Sequence, residues 1–116
     1  MIDTKRPAEM IWSKPEKEIA RHAYRAAYER ECAAIAENIR KMAAGINAPD
    51  DMWQLHDYLT KIRKETDEKY DYRYSVLLWV FGRLMFEGWI KEEDLAGLSE
   101  DKLQQIQLTA KFMAGI

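Results

Sequence analysis

One helix constrains this chain more than anything else in it. Ser13-Lys14-Pro15-Glu16 places a capping hydroxyl three residues ahead of a glutamate, with a proline in the first turn, where its missing N–H costs nothing. The helix so opened is predicted to run to Ala44 and to stop at Gly45, a residue able to adopt the left-handed closing conformation. Thirty-odd residues at 1.5 Å each make a rod of about 45 Å. A compact monomer of 116 residues has a radius of gyration of about 13 Å and is only about 35 Å across. The rod overshoots the body it belongs to.

Its surface says what the overshoot is for. Tyr24, Tyr28, Cys32, Ile35, Ile39, Met42 and Ile46 form one stripe, and Ala20, Ala23, Ala26, Ala27 and Ala34 form another. Both suit close packing. A projecting helix cannot bury them against its own small domain, so a second copy related by two-fold symmetry is the expected partner, the alternative being a helix that bends back on itself.

Asn47-Ala48-Pro49-Asp50 reads as a turn and a helix start, with Asp50 and Asp51 at the positive end of the new dipole. From Asp51 to Lys69, Met52, Leu55, Leu59, Ile62 and Thr66 recur at three- and four-residue steps and are predicted to face the core. Trp53, His56, Asp57, Thr60 and Lys64 form a second stripe, with Arg63 at its margin. A solvated far face would carry Lys and Glu alone, so Trp beside His, Asp and Arg points to a contact surface. Tyr70, Tyr72 and Tyr74 alternate like a strand but have no second strand to pair with, so a helix junction or continuation is expected. Tyr74 to Phe86 is apolar nearly all round and predicts a buried third helix ended by Gly88. Glu92-Glu93-Asp94 starts a short acidic turn, and Ser99 caps a last helix with Leu103, Ile106 and Ala110 inward.

The expected fold is therefore all-α and a single domain, residues 1–116. Residues 1–12 form a loose arm pinned by Met10, Ile11 and Trp12, residues 13–69 an extended dimerising part, and residues 70–116 a compact helical head.

Charge narrows the partners. Eighteen basic and twenty acidic residues are mixed along the chain, so neither nucleic acid nor anionic lipid is expected to bind. The longest apolar run, Val76 to Phe81, is too short to span a bilayer, and a cytoplasmic protein is expected. Cys32 is the sole cysteine and reads as small packing volume. Catalysis finds little support. His56 and Asp57 are helix neighbours about 100° apart, hence no preformed dyad, and His22 lies on another helix. There is no metal-ligand spacing and no phosphate loop, so no catalytic residue, metal or cofactor is expected. A protein-binding module is the reading the residues support unaided, against a small-molecule or enzymatic site around Trp53, His56 and Tyr58.

The run WQLHDYLTKIRKETDEKYDYRYSVLLWVFGRL, with WSKPEKEIA before it and EEDLAGLSEDKL after it, resembles the fluorescence recovery proteins, regulators of the orange carotenoid protein. The resemblance spans roughly Trp12 to Leu108. It implies an all-helical homodimer, able to pair into tetramers, that binds the C-terminal domain of the photoactivated carotenoid protein. Such proteins speed its red-to-orange reversion and its detachment from the phycobilisome on the cytoplasmic face of thylakoids, ending quenching. Met52, Trp53, His56, Asp57 and Arg63 match family positions at or near the dimer interface that matter for activity. Trp79, Phe81 and Arg83 fall on the head implicated in partner binding, Trp79 standing where the family pattern has Phe. A relative with the same fold and another protein client is the alternative.

Overall fold

The computed structural model describes residues 11–115. Met1 to Met10, and with them most of the expected arm, lie outside the described residues. Helix α1 spans Lys14–Ala44, α2 Pro49–Lys69, α3 Leu77–Glu87 and α4 Glu100–Met113, with a 3-10 turn at Glu92–Leu95 between the last two. The molecule measures 65 × 27 × 26 Å.

Helix α1 is 31 residues long and unbroken. Its start is the predicted capping box: the Ser13 N–H donates to Glu16 Oε1 at 3.0 Å, and the Glu16 N–H donates to Ser13 Oγ at 3.2 Å. Its end differs from expectation. Gly45 has φ −93°, so the helix closes without the left-handed residue, its N–H reaching the carbonyls of Met42 and Ala43. At α2, Ala48 has no capping side chain, and Asp51 Oδ2 instead accepts the N–H groups of Asn47 and Ala48 at 3.0 and 3.1 Å. Gly88 does take the left-handed conformation, φ +89°, and stops α3.

The three tyrosines form a junction, one of the two arrangements expected of them, the other being a continuing helix. Residues 70–76 are not helical, and α3 begins at Leu77, three residues later than the apolar run suggests. The core lies at this end of the molecule. Leu77, Phe81, Leu84, Leu95 and Ile106 are wholly enclosed, each contributing about 1.5–3 kcal/mol through burial. Ala20, Ala23 and Ala27 from α1 and the indole of Trp12 complete it. The first half of α1 is therefore part of the head, and Trp12 is anchored in the core. Small residues let backbones close up: a Cβ added at Gly82 would lie 2.4 Å from Thr109 of α4.

Beyond Ala27 no residue of α1 is fully buried, and in α2 only Lys69 is. This second half is a stem made of two antiparallel helices with no enclosed core of its own. Leu55, Tyr58, Ile62 and Thr66 are half-buried, and the Asn38 amide donates to the Tyr58 hydroxyl across the helix pair at 2.9 Å. Met52 and Leu59, expected to face inward, stay exposed, because a single neighbouring helix is too narrow to cover so wide an apolar face.

Candidate functional site

Helix α2 carries the stem residues singled out in the sequence on its outer side. Trp53 is 57% exposed, and its ring meets the His56 imidazole edge to face at 6.4 Å. His56 Nδ1 lies 3.5 Å from Asp57 Oδ1, closer than adjacent helix positions imply. Rotation of two unconfined side chains closes the gap, and with exposures of 69% and 82% the pair is worth little in water. Arg63 Nε donates to Asp67 Oδ2 at 3.0 Å one turn on. Exposed Ile46, Met52 and Leu59 supply further apolar surface on the stem. The region thus combines exposed apolar groups with a Trp, a His and a guanidinium, residue types enriched at protein contacts.

The head carries the second group. Trp79 stands on the outer side of α3, 51% exposed, with its ring 6.2 Å from that of Phe112, itself 70% exposed, and with Leu108 also exposed on α4. Arg83 pairs with Glu87 at 3.0 Å. Phe81 corrects the expectation: it is 0% exposed. It lies in the enclosed core and cannot touch a partner in this conformation. Phe112 and Leu108 escaped the sequence reading, although their four-residue spacing on the outer face of α4 is the signal that marks them.

An ionic clasp joins stem to head, and it too was missed. Lys69, at the end of α2, donates to Glu31 Oε2 of α1 and to Glu87 Oε1 of α3, both at 2.6 Å. The Tyr70 hydroxyl donates to the other oxygen of Glu31 at 2.8 Å. Burial opposes the charge on Glu87, but bonds from Lys69 and Arg83 outweigh it and hold its carboxyl below the ordinary value. Burial, with the Glu31 charge behind it, pushes the Tyr70 phenol well up. Nearby, Arg30 of α1 grips Asp94 through two nitrogens at 2.7 and 3.2 Å and also donates to the Trp89 carbonyl at 2.8 Å. In the sequence Lys69 merely ends the mixed-charge run from Lys64, with nothing to set it apart.

Among the described residues there is no group of three or more His, Cys, Asp or Glu able to hold a metal ion, and no helix long and apolar enough to cross a membrane.

Comparison with known proteins places this architecture. The family described as "Photoprotection regulator fluorescence recovery protein" matches residues 12–110. The chain belongs to the fluorescence recovery protein family. The curated fluorescence recovery protein of Synechocystis sp. is 39% identical over 105 residues, covering 90% of this chain and 96% of the relative. The structure of the Fremyella diplosiphon fluorescence recovery protein superposes with a TM-score of 0.82 at 42% identity, covering 87% of this chain and 99% of that one. The Synechocystis structure gives 0.83 at 39%, with the same coverage. The matched span takes in both stem and head, so the chain shares the all-α fold of the family, whose membership supports the role of photoprotection regulator.

Proposed function

We propose that this chain is a homodimer that binds the C-terminal domain of photoactivated orange carotenoid protein, speeds its return from red to orange and helps detach it from the phycobilisome. The observation that carries the reading is family membership over residues 12–110, together with Trp53, His56, Asp57 and Arg63 standing exposed on a stem that cannot bury its own apolar face. A second copy laid against the stem would cover Ile46, Met52 and Leu59 and leave the Trp79 patch of the head for the client. The action needs no covalent step. A protein that binds the intermediate arrangement of its partner more tightly than the end states lowers the barrier between them.

The test is the dark relaxation of photoactivated orange carotenoid protein, followed by absorbance with and without this protein. Acceleration at substoichiometric amounts is expected. A folded helical dimer that leaves the relaxation rate unchanged would overturn the client and point to a relative acting on another protein.

A further inference from the structure

A groove of about 320 Å³ lies between α1 and the junction segment, lined by Arg21, Tyr24, Arg25, Tyr28 and Tyr72. The aromatic part is tightly fixed: Tyr24 meets Tyr72 edge to face at 4.8 Å and Tyr70 at 5.4 Å, and Tyr28 meets Tyr70 at 5.1 Å. Arg21 and Arg25 sit one turn apart, both exposed, and they also line an adjoining hollow with Glu18 and His22. Among the described residues neither guanidinium is ion-paired to a carboxylate, whereas Arg63 pairs with Asp67 and Arg73 with Asp71. The phenols add no charge at neutral pH. Burial and Asp71 push Tyr24 up, burial pushes Tyr72 up, and the contact with Cys32 pushes Tyr28 up. The groove is therefore an aromatic trough with two cations on its rim that pair with no described carboxylate, each able to take a carboxylate in a forked bond.

We propose that this groove receives an acidic segment of a protein partner, with carboxylates on Arg21 and Arg25 and an apolar side chain between the rings of Tyr24, Tyr28 and Tyr72. Charge complementarity selects the occupant. A basic segment would be repelled, and a purely apolar one would leave both guanidiniums unused. The inference rests on the reading of the chain as a protein-binding regulator and adds a contact separate from the Trp79 patch.

The probe is a synthetic capped peptide, Glu-Glu-Leu-Asp-Glu, titrated into the isotopically labelled full chain and followed by NMR, with the Gln/Asn version as control. Saturable shifts confined to residues 21–28 and 72 are expected for the acidic peptide alone. Arg21→Gln with Arg25→Gln should weaken binding about tenfold, and the double Lys variant should fall between, since an ammonium cannot fork. Diffuse, non-saturating shifts, or binding untouched by the double Gln variant, would overturn the proposal. Shifts appearing only after residues 1–10 are removed would make the chain's own Asp3 or Glu9 the occupant and overturn it too. Repeating the double Gln variant against photoactivated orange carotenoid protein separates the two readings. If the carotenoid protein ignores even the unaltered chain while the peptide fills the groove, the client assignment fails and the groove stands.

Discussion

The Lys69 ammonium lies 2.6 Å from Glu31 with only 7% of its side chain exposed. This contact ties the last residue of α2 to the middle of α1, and through Glu87 to α3. Lys69→Met keeps the volume but leaves Glu31 without its cation and Glu87 with Arg83 alone. A loss of about 3 kcal/mol is expected in urea denaturation, with part recovered by adding Glu31→Gln. A loss under about 0.5 kcal/mol would show the clasp to be dispensable.

Glu16 predicts the acid limb of stability. The Ser13 N–H holds its carboxyl down to about 2, reinforced by the Ser99 N–H and Lys102 and opposed by burial. A folded value below the ordinary 4.5 means stability that is fully present above the unfolded value. It is lost as pH falls from about 4.5 toward 2. Denaturation midpoints measured across that window should drop for the native chain and stay flatter for Glu16→Gln, which is already weaker at neutral pH.

Gly82 allows α3 and α4 to touch, so adding a methyl there is expected to destabilise. Helix propensity alone favours alanine by about 1 kcal/mol. The added Cβ would overlap Thr109 Cβ and Cγ2, so Gly82→Ala should cost about 2 kcal/mol net in a thermal melt, and Thr109→Gly in the same chain should relieve it.

Trp79 and Phe81 are two residues apart on one helix yet should fail in different ways. Trp79→Ala removes exposed surface, so stability should change by under about 1 kcal/mol while carotenoid-protein relaxation slows. Phe81→Ala should cost about 3–5 kcal/mol and lose activity only as the head loosens. Circular dichroism melts beside the relaxation assay distinguish them.

Charge placed on the stem tests the proposed dimer. Met52→Glu or Trp53→Glu should halve the sedimenting mass without lowering the helix content of the head. A mass unchanged by either would remove the stem from the interface.

Much of the fold was legible because helices announce themselves locally. The Ser13 box and Gly88 each act within a few residues of chain and appear where the pattern put them, whereas Ala20, Ala23 and Ala27, expected to need a second copy, are enclosed by the chain's own head. What depends on three dimensions was not legible. Phe81 and Trp79 are equally apolar, and only the packing of the whole head decides which is covered. Lys69 sits in a run of mixed charge and is distinguished only by Glu31, thirty-eight residues away. The inward face predicted for α2 was misjudged at Met52 and Leu59, since periodicity reports that a face is apolar and not how much of it a neighbour can cover. His56 and Asp57 met for the opposite reason: exposed side chains are free to swing outside the angles of an ideal wheel.

Helix α1 has neither glycine nor proline between Pro15 and Gly45, and it belongs to the head at one end and the stem at the other. From Ala27 to Ala44 it extends about 25 Å past the core. With no hinge along that length, it acts as a lever. A tilt of about 5° where the alanines seat would carry the far tip through about 2 Å, comparable to the small helix shifts by which packed interfaces change state. A partner that tilted this seat would therefore move the remote end of the rod as well, the displacement passing through covalent geometry with the Lys69 clasp bracing its base.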